Sequence, residues 1–127
     1  MIDLRRGDVV LVAFPFVRSR EVERKRRPAV VVQADRYNQR RAAVILAAIT
    51  TTPRRRDLPC KVPIRRDSRE GRAAGLRTDS VVDCQTIVTI PREEVVRRIG
   101  RFPSAVLQKI DQALRDALDP WREEAGT

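Results

Sequence analysis

Ala42-Ala43-Val44-Ile45-Leu46-Ala47-Ala48-Ile49 is an unbroken apolar run that ends in Thr50-Thr51-Thr52 and Pro53. A run this short, closed by a proline, reads as a strand buried on both faces, with a cluster of hydroxyls at its end. Upstream, Pro28-Ala29-Val30-Val31-Val32 is a second such strand, and the run Val9 to Phe14, entered from Gly7-Asp8 and stopped by Pro15, is a third. Ala34-Asp35-Arg36-Tyr37-Asn38 separates two of them as a turn or short helical excursion. Downstream, Cys60, Val62 and Ile64 alternate inward against Lys61 and Pro63, and the proline places that strand at a sheet edge. Residues 65–78 carry Gly71 and Gly75 with little apolar content and read as a surface loop. Ser80 to Ile90 supplies further β-rich sequence, and Pro91-Arg92-Glu93-Glu94 a short helical turn.

The chain ends differently. From Ser104, read as an N-cap, Leu107, Ile110, Leu114 and Leu118 recur at helical spacing with Ala113 and Ala117 in the same stripe, until Asp119-Pro120 stops the helix. No strand is followed by a crossover helix before this point. The expected fold is therefore mainly β (α+β): a small, strongly curved sheet or partly closed barrel with a C-terminal amphipathic helix packed on it. At 127 residues the chain suits one domain, placed at residues 1–120, with a tail over 121–127.

Charge narrows the function. The net charge of +10 is unevenly placed: residues 1–77 hold twenty Lys/Arg against eight Asp/Glu, and residues 78–127 hold seven against nine. Nearly all of the positive charge is arginine, whose planar fork grips phosphate and stacks on bases, so a nucleic-acid partner is expected. The segment 17–26 is charged and lacks apolar periodicity; it reads as an exposed lid or partner-binding loop. Cys60 and Cys84 form no CxxC pair and have no histidine to join them, so two reduced thiols are expected and no metal site. The opening Met1-Ile2-Asp3-Leu4-Arg5-Arg6 lacks the apolar core of a signal peptide, and no apolar stretch approaches the span of a bilayer. A cytoplasmic protein without a membrane partner is expected.

Much familiar chemistry is missing. A chain with no histidine lacks the usual acid/base pair of a ribonuclease, and no DxD or HExxH pattern offers the ligands of a metal nuclease. Phosphate-loop, nucleophile-elbow and dinucleotide fingerprints are also missing. RNA offers a way round, because its own 2′-hydroxyl can attack the neighbouring phosphate. A protein then needs only to hold the backbone in line and stabilise the added negative charge, which arginine and threonine can do.

Taken in order, the segments Arg6-Gly7-Asp8-Val9-Val10-Leu11-Val12, Phe14-Pro15-Phe16, Lys25-Arg26-Arg27-Pro28-Ala29-Val30-Val31-Val32, Asp35-Arg36-Tyr37-Asn38, Ala47-Ala48-Ile49-Thr50, Leu58-Pro59 and Asp79-Ser80-Val81-Val82-Asp83-Cys84-Gln85-Thr86-Ile87 resemble the MazF/PemK toxin family over roughly residues 5–118. The resemblance implies an SH3-like barrel, a homodimer, and a cofactor-free, metal-independent endoribonuclease that cuts single-stranded RNA at short sequences and is silenced by an acidic antitoxin. It further implies catalytic roles for Arg27, on the scissile phosphate, and Thr50, with Thr51 as a rival. Lys25, Arg26, Arg54, Arg55 and Arg56 are read as phosphate contacts that position RNA without specifying it. Gln85 can hydrogen-bond either a base or a partner strand. Gly7 and Asp8 are read as a turn and strand-end cap, and Phe16 and Tyr37 as packing residues more than base-stacking platforms. Segment 17–26 departs from the family pattern by lacking glycine, which leaves gating and cut-site choice open. The alternative reading is a non-catalytic toxin or nucleic-acid-binding module on the same barrel, resembling gyrase poisons, with Trp121 near the tail as its aromatic contact.

Overall fold

The computed structural model describes residues 3–13, 26–39, 42–51 and 57–119. Six strands, β1 (Asp8–Val12), β2 (Arg27–Val31), β3 (Ala43–Thr50), β4 (Lys61–Ile64), β5 (Ser80–Pro91) and β6 (Val95–Arg101), form one antiparallel sheet in the order β4-β5-β3-β2-β1-β6. Two short helices, α1 (Asp35–Asn38) and α2 (Arg69–Ala73), and a 3-10 turn at Arg92–Glu94 lie between strands. The terminal helix α3 (Ser104–Leu118) packs against β4 and β5.

The apolar runs fill two cores, one on each face. Beneath α3, Val9, Val30, Ala47, Ile49, Val62, Val82 and Cys84 meet Val106, Ile110 and Ala113 of the helix. On the opposite face, Leu4, Val10, Val12, Ala29, Val31, Val44 and Leu46 gather around Ile90 at the end of β5 and Val95 at the start of β6. That second cluster requires the sheet to curl, since it joins strands from different parts of the order. Edges remain at β4 and β6, so the barrel is partly closed. With neighbouring side chains pointing to opposite faces, the runs in β1, β2 and β3 stay apolar because both faces are covered along most of their length, with Ile45 of β3 exposed.

Turn chemistry matches the sequence at the start of β1. Gly7 adopts a positive φ of 95°, donates its N–H to the Val31 carbonyl at 2.8 Å and accepts from Phe102 N–H at 3.0 Å. Asp8, 1% exposed, accepts Arg5 N–H at 2.8 Å and Arg101 Nη1 at 2.8 Å. Both residues are thus occupied in structure.

Three expectations need correction. Residues 65–78 are not a loop throughout, because Ser68 caps α2 by accepting Gly71 N–H at 3.0 Å, and the turn closes on Gly75. Pro103, not Ser104, is the N-cap of α3, with no side-chain cap bond; the buried edge of the helix is Val106, Ile110 and Ala113, while Leu118 is 66% exposed. Residues 95–101 form β6, which went unread because Arg97, Arg98 and Arg101 break its apolar alternation. Asp8 pairs with two of them, Arg101 at 2.8 Å and Arg98 at 3.5 Å.

Cys60 and Cys84 are free and buried. Burial first, then the neighbouring Asp83 charge and Cys60, pushes the Cys84 thiol up to about 12 from 9.0. Between those values the folded chain keeps a proton that the unfolded chain releases, so stability is full below pH 9 and falls as pH rises toward 12. Cys84→Ala is expected to flatten that alkaline decline, measured as the urea midpoint between pH 8 and 11. An equally steep decline in the variant would reject the assignment.

Candidate nucleic-acid interface

Strand register decides which side chains meet. Ala29 of β2 faces Ala48 of β3 as the last pair of that ladder, and Arg27, two residues earlier, and Thr50, two residues later, lie at the same end of the two strands. Thr50 in turn faces Val81 of β5, and Val81 faces Pro63 of β4. Directly opposed residues in an antiparallel pair project to the same face. Thr50, Val81 and Pro63 therefore form one transverse row, with Arg27 on the same face at the end of β2, and Ala29, Ala48, Asp83 and Lys61 form the next. Arg27 is exposed and Thr50 half-buried.

Thr51 takes the other side. It lines a cavity of about 420 Å3 with Leu11, Pro28, Leu76, Arg77 and Arg97, at the same ends of β1, β2 and β3. The two threonines are thus separated by the sheet, and only Thr50 shares the face of Arg27. Arg26 and Arg27 are exposed at the start of β2, while Arg77 and Arg97 line the cavity on the side of Thr51. The α2–β5 connection that forms one wall of the cavity is held tightly. Gly75, with φ 73°, lies so close to Ile99 that an added Cβ would sit 2.2 Å from its carbonyl oxygen.

Lys25, Arg54, Arg55, Arg56, Phe16 and Trp121 fall outside the described residues. Gln85 is exposed on β5. Tyr37, on α1, follows the end of β2 opposite to Arg27, and its ring carries the Arg36 guanidinium at 4.8 Å. Lys61, expected to point into solvent, is instead folded against Asp83 at 3.4 Å, with side-chain exposures of 7% and 11%. Nothing in the linear sequence links those two; the pairing of β4 with β5 does. Arg77 and Arg97 were missed for the same reason, since β6 and the turn after α2 went unread.

The chemistry open to this face is limited and definite. A guanidinium stays charged at any working pH and can hold two oxygens of one phosphate, while a threonine hydroxyl can donate to a third or accept from a ribose hydroxyl. Among the described residues no group of three or more His, Cys, Asp or Glu is placed to hold a metal ion. Nor, among them, is any helix long and apolar enough to cross a membrane.

Residues 5–118 match the family described as PemK-like, MazF-like toxin of type II toxin-antitoxin system. The chain is 34% identical over 96 residues to Endoribonuclease MazF6 of Mycobacterium tuberculosis, covering 75% of this chain and 80% of that protein. It is 31% identical over 118 residues to Endoribonuclease MazF9 of the same organism, covering 93% and 98%. Among solved structures, a mycobacterial endoribonuclease in complex with its cognate antitoxin superimposes with a TM-score of 0.70 at 25% identity, over 94% of this chain and 99% of that one. With its curled six-stranded sheet and the ordered motifs that build it, this chain belongs to the PemK-like, MazF-like toxin family of type II toxin-antitoxin systems.

Proposed function

We propose that the chain is an endoribonuclease toxin that cuts single-stranded RNA in the cytoplasm, independently of metal, by attack of the substrate's own 2′-hydroxyl. The 2′-oxygen forms a bond to phosphorus and loses its proton, while the bond to the 5′-oxygen breaks and that oxygen gains one. The products are a 2′,3′-cyclic phosphate and a 5′-hydroxyl. Arg27 neutralises the phosphate oxygens as charge builds in the transition state, and Thr50 orients the phosphate or the attacking ribose. Protons pass through water or the RNA, since neither residue is a useful base.

What supports this reading is the Ala29↔Ala48 pair: Arg27 and Thr50 each lie two residues beyond it, on one face and at the same end of β2 and β3. Both side chains sit on paired strands, so their separation is set by the sheet. Arg26, Lys25 and the run Arg54 to Arg56 supply phosphate contacts along the substrate. The working unit is a homodimer, and an acidic antitoxin holds it silent. Named relatives are endoribonucleases, and one solved neighbour is bound to its antitoxin, which favours this reading over a non-catalytic gyrase-poison-like module.

Purified protein incubated with a long single-stranded RNA and excess EDTA is expected to give discrete fragments that polynucleotide kinase labels at the 5′ end without prior phosphatase treatment. Intact RNA under EDTA, or fragments carrying 5′-phosphates, would reject the proposal.

A further inference from the structure

Between the pairs Ala48↔Asp83 and Ala47↔Ile87, β3 advances by one residue while β5 advances by four. Residues 84–86 are therefore bulged out of the ladder. Cys84 turns into the core beneath α3, with its N–H donating to the Cys60 carbonyl at 3.1 Å, and Gln85 is left exposed. Such a bulge needs acceptors for its displaced donors, and Asp83 supplies them. Its Oδ1 accepts Gln85 N–H at 3.0 Å and faces Lys61 Nζ at 3.4 Å, while Oδ2 accepts the Thr86 hydroxyl at 3.0 Å.

This knot sits one row from Arg27 and Thr50, on their face of the sheet. Asp83 is 8% exposed, so it is a support, not a substrate contact. Fixing the backbone on both sides of an exposed glutamine pre-sets the origin of a side chain whose amide offers a donor and an acceptor in one plane. That is the device by which a protein reads the edge of an unstacked base. Bulges beside active sites commonly re-aim a side chain in this way.

Resting on the endoribonuclease reading above, we propose that the 84–86 bulge determines cut-site sequence. Gln85 hydrogen-bonds the edge of one base flanking the scissile phosphate, and Asp83 is the positioning residue that holds Gln85 in register. A merely structural Asp83 would affect stability and leave sequence preference unchanged.

The test compares cutting of an RNA carrying the preferred site with four-way substitutions at each flanking position, by wild type, Gln85→Ala, Asp83→Ala, Asp83→Asn and Thr86→Val. Gln85→Ala is expected to lower discrimination at one position roughly tenfold or more, with the other positions unchanged. Asp83→Ala relaxes that same position, Thr86→Val relaxes it partially, and Asp83→Asn, which keeps an acceptor toward Gln85 N–H, restores it. Thr86→Val leaves the Lys61–Asp83 pair intact and carries the test where Asp83→Ala fails to accumulate. Wild-type discrimination in Gln85→Ala overturns the proposal, as does relaxation in Gln85→Ala with none in Thr86→Val. Unchanged cutting preference together with weakened self-association would assign Gln85 to a protein interface and also overturn it. Failure of the endoribonuclease reading itself shows separately, as wild-type cutting by Arg27→Ala.

Discussion

Arg27→Ala is expected to lower RNA cleavage roughly 10²–10³-fold, a loss of about 2.7–4 kcal/mol of transition-state stabilisation, with folding stability nearly unchanged. The reasoning begins with exposure: Arg27 heads β2 with its side chain in solvent, so its removal leaves no cavity in either core. Surface replacements of that kind cost within about 0.5 kcal/mol. What is lost is a charge that the proposed reaction needs and that the neighbouring row does not replace, since Thr50, Val81 and Pro63 are uncharged. Arg27→Lys should recover only part of the activity, because a point charge cannot span two phosphate oxygens. Thr50→Val should cost less than Arg27→Ala, as the hydroxyl orients and the guanidinium stabilises. Single-turnover cleavage and urea unfolding on the same preparations check both halves; a large fall in stability would mean that the activity loss reports misfolding.

Gly75→Ala is expected to destabilise the fold strongly although it adds only a single methyl group. Two costs coincide there. An L-residue at φ 73° costs about 1–2 kcal/mol, and overpacking adds about 1–3, because the new Cβ would lie 2.2 Å from the Ile99 carbonyl oxygen of an ordered strand. The sum, about 2–5 kcal/mol, is a large share of the roughly 5–15 kcal/mol that holds a small domain folded. In urea this should lower the midpoint by on the order of 1–2 M at unchanged slope. Function should suffer too, since the turn at Gly75 leads directly into β5, which carries Val81 beside Thr50. A midpoint within experimental error of wild type would show that the turn shifts freely.

The strands with unbroken apolar runs were legible because both of their faces are covered: β1, β2 and β3 announce themselves, and so does α3 through its stripe. What escaped notice depends on contacts between distant segments. β6 carries three arginines, and its strand character follows from pairing with β1 and from Asp8, 90 and 93 residues away from Arg98 and Arg101. Helix α2 has one buried residue, Gly71, and depends on the Ser68 cap instead of a hydrophobic face. The same division holds at the site. Arg27 and Thr50 stand at the ends of runs that could be read, whereas the register that brings them to one face at the same end of two strands is a property of the sheet. Lys61 looked solvent-facing by alternation and proved to be partnered, because a period of two reports the face of a strand and not what covers it.

The proposed function rests on one chemical claim, that the nucleophile belongs to the RNA. The most direct measurement uses an RNA with a single 2′-deoxynucleotide on the 5′ side of the mapped cut. The account predicts that this bond survives while flanking sites in the same strand are cut at the usual rate. Cleavage at the deoxy position at the wild-type rate would contradict it.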